Sequence, residues 1–221
     1  IPGAQIADLG GALWALVGIQ QALLEREWNG VGKRVDASLL GAALSFLQVA
    51  KAQETGGAPM TPGASDLTGG WACYQVYATK DGKYMTLGAL EPKFWENFCQ
   101  AVGREDLVGE QFAQAVKGEP VYDELCSLFR SRARNEWVDL LADVEACCEP
   151  LYSLEEALDS EPVRALGMLA GDHILPGVRL SERDVSPPAT APALGEHTQP
   201  LLAELGYTAD QISALQAQRI I

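Results

Sequence analysis

The sequence predicts a mixed fold of the α/β or α+β class, and three observations support this. Residues 9–28 carry apolar side chains at helical spacing, which predicts one long helix. Residues 74–88 alternate like two strands around an Asp-Gly turn, which predicts a β-hairpin. Shorter helical patterns follow between residues 94 and 159. A middle segment, about residues 71–165, is therefore distinct from both ends of the chain.

The first 70 residues are expected to form two helices and a long loop. Asn29-Gly30 should end the first helix, since both residue types stop helices. Residues 33–38 predict a short strand or an extended entry into a second apolar helix at 39–51. Residues 56–70 are rich in Gly, Pro, Thr and Ser and lack periodicity. A passage of this length is typical of a domain crossing or a functional loop.

The hairpin is expected to pair residues 74–79 with 84–88 around Asp81-Gly82. Pro92 suits the first turn of a helix at 94–102. The remaining expected elements are helices at 107–116, 120–132, 135–144, 153–159, 197–205 and 208–218, a strand at 175–180 and a proline-rich link at 186–192.

Charge and composition restrict the function classes. The 221 residues are 48% hydrophobic and carry a formal net charge of −14. That charge argues against nucleic acid or an anionic membrane as a partner, because both require a basic surface. We expect no apolar run long enough to cross a bilayer. A small anionic ligand remains compatible, since a local basic pocket would suffice.

The cysteines and histidines predict neither a disulfide framework nor a metal site. Five cysteines form an odd set without metal-ligand spacing, and adjacent Cys147 and Cys148 could not pair without strain. Reduced cysteines in a cytoplasmic protein are therefore expected. Only two histidines, His173 and His197, are present, which disfavours a histidine-rich metal site.

Asp8 has two interpretations. It precedes the predicted first helix, where aspartate is a favoured N-cap. Gly10 and Gly11 follow it, and glycines in a first turn weaken a helix. Close approach of a ligand to the backbone is one reason to tolerate that cost. A carboxylate at a helix N-terminus is also stabilised as an anion, which suits a base or a nucleophile.

Glu91 and His197 are the other candidates considered. Glu91 lies between the second hairpin strand and the helix that opens near Pro92, a kind of corner where α/β proteins place functional residues. Its alternative interpretation is a solvated loop carboxylate or a cap. His197 lies just before a predicted helix and is interpreted as structural.

Several segments arrive in the order found in one known family. Residues 5–12, which contain Asp8-Leu9-Gly10-Gly11, resemble the catalytic aspartate turn of the family III CoA-transferases. The stretches 18–27 and 30–40 resemble the helix and the G-x-G-[KQ]-x-V-D-x-S segment that follow it. Residues 82–94 resemble the α-methylacyl-CoA racemase branch. Residues 148–157 and 195–198 resemble segments that occur later in the family's sequences.

The resemblance implies that the chain corresponds to the C-terminal portion of such a protein. Racemases of the family invert the α-carbon of a 2-methylacyl-CoA with two acid/base groups. The family's aspartate corresponds to Asp8, and the glutamate that supports the second base corresponds to Glu91. The second base is a histidine upstream of the aspartate, and neither His173 nor His197 is equivalent to it. We therefore expect little racemase activity from these 221 residues alone.

Two other functions are compatible with the resemblance. In CoA transfer between carboxylic acids, the same aspartate is a nucleophile that forms a mixed anhydride and then an enzyme thioester. The sequence Leu87-Gly88-Ala89-Leu90-Glu91-Pro92 favours the racemase, because the transferases tend to have a glycine-rich loop there. The third function is that of a non-catalytic, truncated family member that acts as an oligomerisation or binding module.

The family's architecture implies an interlocked homodimer with an acyl-CoA as substrate and no bound cofactor. Residues 1–48 and 172–221 would belong to a large domain, 49–70 to a linker and 71–165 to a small α+β domain. The family's site forms where the large domain of one subunit meets the small domain of the other. Asp8 and Glu91 would then face each other across subunits.

Overall fold

The structure is a computed structural model that describes residues 3–58, 60–171, 173–178 and 191–221. The chain divides into two compact units, Ile1–Leu151 and Tyr152–Ile221. The finer domain limits expected from the sequence stay predictions.

Helix α1 (Ile6–Asn29) begins three residues before the predicted helix and ends as predicted. Gly30 adopts the left-handed conformation with φ 72°, and its N–H donates to the carbonyl of Arg26 at 2.8 Å. A residue in this conformation is a common helix stop, and glycine takes it without steric cost.

The length and apolar character of α1 correct one expectation. With 24 residues it is about 36 Å long, and by length and composition it could cross a membrane. The expectation that no apolar run approaches that length is therefore wrong. A long apolar helix that packs inside a protein has the same length and composition, so the two properties alone assign no membrane location.

The second apolar stretch is divided into two short helices, α2 (Leu39–Ser45) and α3 (Gln48–Thr55), where one continuous helix was expected. The Oγ of Ser38 caps α2 by accepting from the N–H of Gly41 at 3.0 Å. Residues 33–38 form no strand, although Ser38 has extended backbone angles. Residues 56–58 and 60–70 form turns and coil, in agreement with the predicted loop.

The predicted hairpin is confirmed. Strands β1 (Tyr74–Ala78) and β2 (Tyr84–Gly88) are antiparallel, and Gly82 has a φ of 75° in the turn. A third strand that the sequence did not predict, β3 (Cys148–Leu151), pairs antiparallel with β2 and places Thr86 opposite Glu149. It is short and contains a proline, as edge strands often do, which is why the pattern missed it.

Three α-helices pack on this sheet: α4 (Pro92–Ala101), α5 (Pro120–Phe129) and α6 (Arg134–Leu141). Each lies within the corresponding predicted range or within two residues of it. The helix expected at 107–116 is wrong, because only a 3₁₀ segment at Glu105–Glu110 forms there. The indole N–H of Trp95 donates to the carbonyls of Leu107 and Val108, which holds the segment against α4.

A stack of aromatic rings fills the core between the sheet and these helices. Phe129 lies at its centre, 4.6 Å from the ring of Tyr77, 5.7 Å from Phe98 and 5.0 Å from Trp137. All four side chains are buried. Offset aromatic pairs at these distances add to the stabilisation from burying their area.

The second unit contains short elements: α7 (Leu154–Leu158), α8 (Glu161–Leu166), β4 (Leu169–Ala170), β5 (His173–Ile174), α9 (Thr198–Glu204) and α10 (Ala209–Ala217). Helix α7 begins with a capping box formed by Ser153 and Glu156. The strand expected at 175–180 is wrong for residues 175–178, and residues 179–180 lie outside the described part. So does most of the proline-rich link expected at 186–192.

Candidate active site

Asp8 is exposed in the first turn of α1 and is not the helix cap. The N-cap is Gln5, and Asp8 is the third residue of the helix, because the helix begins at Ile6. The cap interpretation is therefore wrong. A negative charge in the first turn of a helix is still stabilised by the unpaired N–H groups there. Asp8 thus carries an accessible carboxylate in the first turn of α1.

Gly10 and Gly11 allow close packing within the protein. A Cβ at Gly10 would lie 2.7 Å from the Phe46 ring, and one at Gly11 would lie 2.5 Å from Cδ2 of Leu39. Both glycines are buried. The space beside this turn is therefore occupied by side chains of α2 and the residue after it. This replaces the interpretation that the glycines admit a ligand to the backbone.

Glu91 lies at the corner between β2 and α4, as the sequence predicted. It is the N-cap of α4 with extended backbone angles, φ −80° and ψ 135°, but its side chain makes no capping hydrogen bond. Its carbonyl accepts from the N–H groups of Phe94 and Trp95. The backbone of Glu91 is thus held by α4, while its carboxylate is exposed and available to a ligand or a partner.

Asp8 and Glu91 belong to separate packed regions of the first unit. Asp8 lies on α1, which packs against α2, whereas Glu91 lies beside the sheet core. Among the described residues, no hydrogen bond or ion pair joins the two side chains. The single chain therefore does not bring the two predicted site residues into one contact.

A cleft of ≈ 490 Å³ opens along the hairpin and reaches Gly88 at the end of β2. It lies between the loop at residues 67–69, the hairpin and the residue before β3. Its walls are mostly apolar, with Thr68, Gln75 and Thr86 among the polar lining residues. The amide of Gln75 donates to the carbonyl of Gly69 at 2.6 Å, which ties the loop to the hairpin. The lining residues are Leu67, Thr68, Gly69, Tyr74, Gln75, Val76, Thr86, Leu87, Gly88 and Cys147.

Cys147 is a cleft residue that the sequence did not single out. It is exposed and has a positive φ of 47°, and its carbonyl accepts from the N–H of Gly88 at 2.8 Å. Partial burial raises the pKa of its thiol above the ordinary 9.0, and the negative charge of Glu91 raises it further. The thiol is therefore protonated at neutral pH.

Replacing Glu91 with glutamine is expected to speed alkylation of Cys147 at pH 8, because it removes a charge that disfavours the thiolate. The increase should stay below about tenfold, since one exposed charge contributes about 1 kcal/mol or less. Iodoacetamide labelling followed by peptide mass spectrometry measures the rate. Glu96→Gln, on an exposed position of α4, should leave it unchanged. Equal rates in all three proteins would contradict the proximity of Glu91 to the thiol.

The histidines and cysteines form no metal site within the described residues. His197 precedes α9 and makes no side-chain capping bond, and His173 lies in β5. All five cysteines are unpaired.

The family assignment follows from the comparison with known proteins. The model of CoA-transferase family III matches residues 1–198. The chain belongs to CoA-transferase family III. Among curated members of the family, the chain is 30% identical to alpha-methylacyl-CoA racemase of Mus musculus, over 98% of this chain and 59% of the relative. The human racemase is 29% identical over the same shares.

Transferases of CoA-transferase family III match as well. Formyl-CoA:oxalate CoA-transferase of Escherichia coli O157:H7 is 25% identical over 100% of this chain and 61% of its own length. A CAIB/BAIF family protein from Brucella suis has a similar fold, with a TM-score of 0.67 and 22% identity over 93% of this chain and 56% of the other. The chain thus spans about three fifths of the curated relatives that it matches.

Proposed function

We propose that the chain is part of an acyl-CoA racemase that removes the α-proton of a 2-methylacyl-CoA and returns a proton to the opposite face. The similarity to two alpha-methylacyl-CoA racemases over 98% of the chain carries this proposal. A racemase needs one acid/base group on each side of a planar enolate and hydrogen-bond donors to the enolate oxygen.

Asp8 is the proposed acid/base residue of this chain. Its carboxylate is exposed in the first turn of α1, where a substrate can approach. Glu91 is the proposed support of the second base, and its backbone is fixed at the entrance of α4. The mostly apolar cleft along the hairpin would hold the acyl group, because burying an alkyl chain against apolar walls is favourable. The CoA thioester is the substrate, and no bound cofactor is proposed.

A homodimer would bring Asp8 and Glu91 together. Helix α1 exposes a row of large apolar side chains that soluble proteins usually cover. In the proposed homodimer, the second subunit covers this face and its own Glu91 corner lies near Asp8. The exposed apolar residues of α1 include Leu9, Leu13, Leu16, Leu23, Leu24 and Trp28. Unpaired cysteines throughout the chain support the proposal of a cytoplasmic location.

CoA transfer is the second candidate function. It is favoured by the match to formyl-CoA:oxalate CoA-transferase over the whole chain. In this reaction, the Asp8 carboxylate would attack the thioester carbonyl and release CoA thiolate, which leaves an acyl-aspartyl anhydride. The thiolate would then attack the Asp8 carbonyl and release the acid, which leaves an Asp8 thioester of CoA. A non-catalytic oligomerisation or binding module is the third candidate, supported by the exposed apolar face of α1.

Incubation with a chiral 2-methylacyl-CoA in deuterated water separates the candidates. A racemase should incorporate deuterium at the α-carbon and epimerise it together. A single working base should exchange the proton but return it to the same face, so that deuterium enters without inversion. If neither deuterium incorporation nor epimerisation occurs and hydroxylamine traps Asp8 covalently, the result would support the transferase. If deuterium incorporation, epimerisation and trapping are all absent, the result would contradict both enzymatic functions for this chain.

A further inference from the structure

Gln111 is a buried polar residue beside the Glu91 corner. Its side chain lies just after the 3₁₀ segment Glu105–Glu110 and is 8% exposed. Nε2 donates two hydrogen bonds, one to the carbonyl of Ala89 and one to the carbonyl of Leu90, both at 2.9 Å. A side-chain amide has two N–H donors, and both are used on the two residues that precede Glu91.

The residues of the corner, Ala89 and Leu90, also make two backbone hydrogen bonds. The N–H of Ala89 donates to the carbonyl of Cys73 at 2.9 Å, and the N–H of Leu90 donates to that of Gly88 at 3.1 Å. Among the described residues, Gln111 supplies the hydrogen bonds to the carbonyls of Ala89 and Leu90. A buried carbonyl that loses its donor is costly, so the Gln111 amide strongly favours one backbone path into Glu91.

The segment that leads to Gln111 is in turn held by α4, the helix that Glu91 precedes. Trp95, which is 1% exposed, donates from its indole N–H to the carbonyls of Leu107 and Val108 at 3.0 and 3.1 Å. The N–H of Trp95 also donates to the carbonyl of Glu91. Hydrogen bonds therefore connect the corner to Gln111, the segment before Gln111 to Trp95, and Trp95 back to the corner.

We propose that Gln111 is a positioning residue, which sets the direction in which the Glu91 side chain leaves the corner. The functional part of this inference rests on the proposed role of Glu91 in acyl-CoA proton transfer. An acid/base site requires its groups within about 0.5 Å and 10–20° of the productive geometry. The exposed Glu91 carboxylate makes no side-chain hydrogen bond to any described residue, so its geometry depends on the backbone of the corner.

Two substitutions of Gln111 make the inference testable without reference to activity. In Gln111→Leu the two carbonyls lose their donors. In Gln111→Glu a carboxylate faces the same two carbonyls, so burial and the carbonyl oxygens should raise its pKa. When protonated, that carboxyl can donate one O–H and restore one bond. In the glutamate variant, one hydrogen bond to the corner carbonyls should therefore return as the pH falls. In the leucine variant it should not.

Hydrogen exchange of the amides of Phe94 and Trp95 measures the corner directly, because both donate to the carbonyl of Glu91. We expect roughly tenfold or faster exchange in Gln111→Leu than in the wild type, relative to core amides such as those of Leu125 and Phe129. In Gln111→Glu the ratio to the wild type should decrease between about pH 8 and about pH 5. Gln100→Leu, on the exposed face of α4, is the matched control and should change nothing.

Unchanged exchange at Phe94 and Trp95 in Gln111→Leu would overturn the inference. An equal loss of protection from exchange at the core amides would overturn it too, and so would a ratio of exchange rates between Gln111→Glu and the wild type that does not change with pH. In the α-proton exchange assay, Gln111→Leu should lower kcat with KM little changed, and full wild-type kcat would contradict the functional part. A wild-type chain that exchanges no α-proton contradicts the proposed function instead, and the amide measurements still decide whether Gln111 fixes the corner.

Discussion

Replacement of Asp8 with asparagine is expected to lower the rate of α-proton exchange by about 10²- to 10⁴-fold, the usual contribution of a general base. Asparagine has nearly the same shape but cannot accept a proton at neutral pH. The side chain is exposed in the first turn of α1, so the fold should tolerate the change. Loss of the favourable charge at the helix N-terminus should cost less than about 1 kcal/mol.

The matched control for Asp8 is Asp210→Asn. Asp210 is also an exposed aspartate in the first turn of a helix, α10, and has no proposed role in chemistry. Both variants should unfold at denaturant concentrations close to that of the wild type, and only Asp8→Asn should lose exchange. Equal activity in Asp8→Asn and the wild type would rule out Asp8 as the base. If hydroxylamine traps Asp8 in the wild type, the same assay should find no trapped adduct in the asparagine variant.

The sequence predicted the elements that depend on local chemistry. The hairpin was correct because Asp81-Gly82 offers the positive φ that a tight turn needs, and Gly82 adopts it. The end of α1 was correct for the same kind of reason at Gly30. Elements that depend on distant partners were missed. Strand β3 exists because β2 offers it an edge, and the helix expected at 107–116 is replaced by a segment that Trp95 holds.

The candidate site follows the same division. Glu91 could be placed at the β2–α4 corner because its neighbours, Gly88 and Pro92, mark the end of a strand and the start of a helix. The role of Gln111 could not be predicted, since its two acceptors lie more than twenty residues away along the chain. The start of α1 was misplaced by three residues, which turned Asp8 into an apparent cap. Boundaries predicted from sequence pattern commonly differ from the structure by about two to four residues.

Truncation of Phe129 to alanine is expected to destabilise the protein by about 3–5 kcal/mol. The ring is 0% exposed and contacts the rings of Tyr77, Phe98 and Trp137. Its removal takes away buried area and leaves a cavity, because the three neighbouring rings belong to different elements. Trp137 also donates from its indole N–H to the backbone carbonyl of Phe129 at 2.9 Å, which limits how far the site can collapse.

Such a loss is a large part of the 5–15 kcal/mol that typically stabilises a folded domain. Urea unfolding followed by near-ultraviolet circular dichroism should therefore show a lower midpoint, since this signal reports the packed aromatic rings. Phe112→Ala is the control, because Phe112 is 52% exposed and contacts only the edge of Trp71 in the described aromatic pairs. It should cost less than about 1.5 kcal/mol. Similar midpoints for the two variants would mean that the stack is not the centre of stability. In that case the packing around α1 would have to supply most of the stability, although that helix has most of its large apolar side chains exposed.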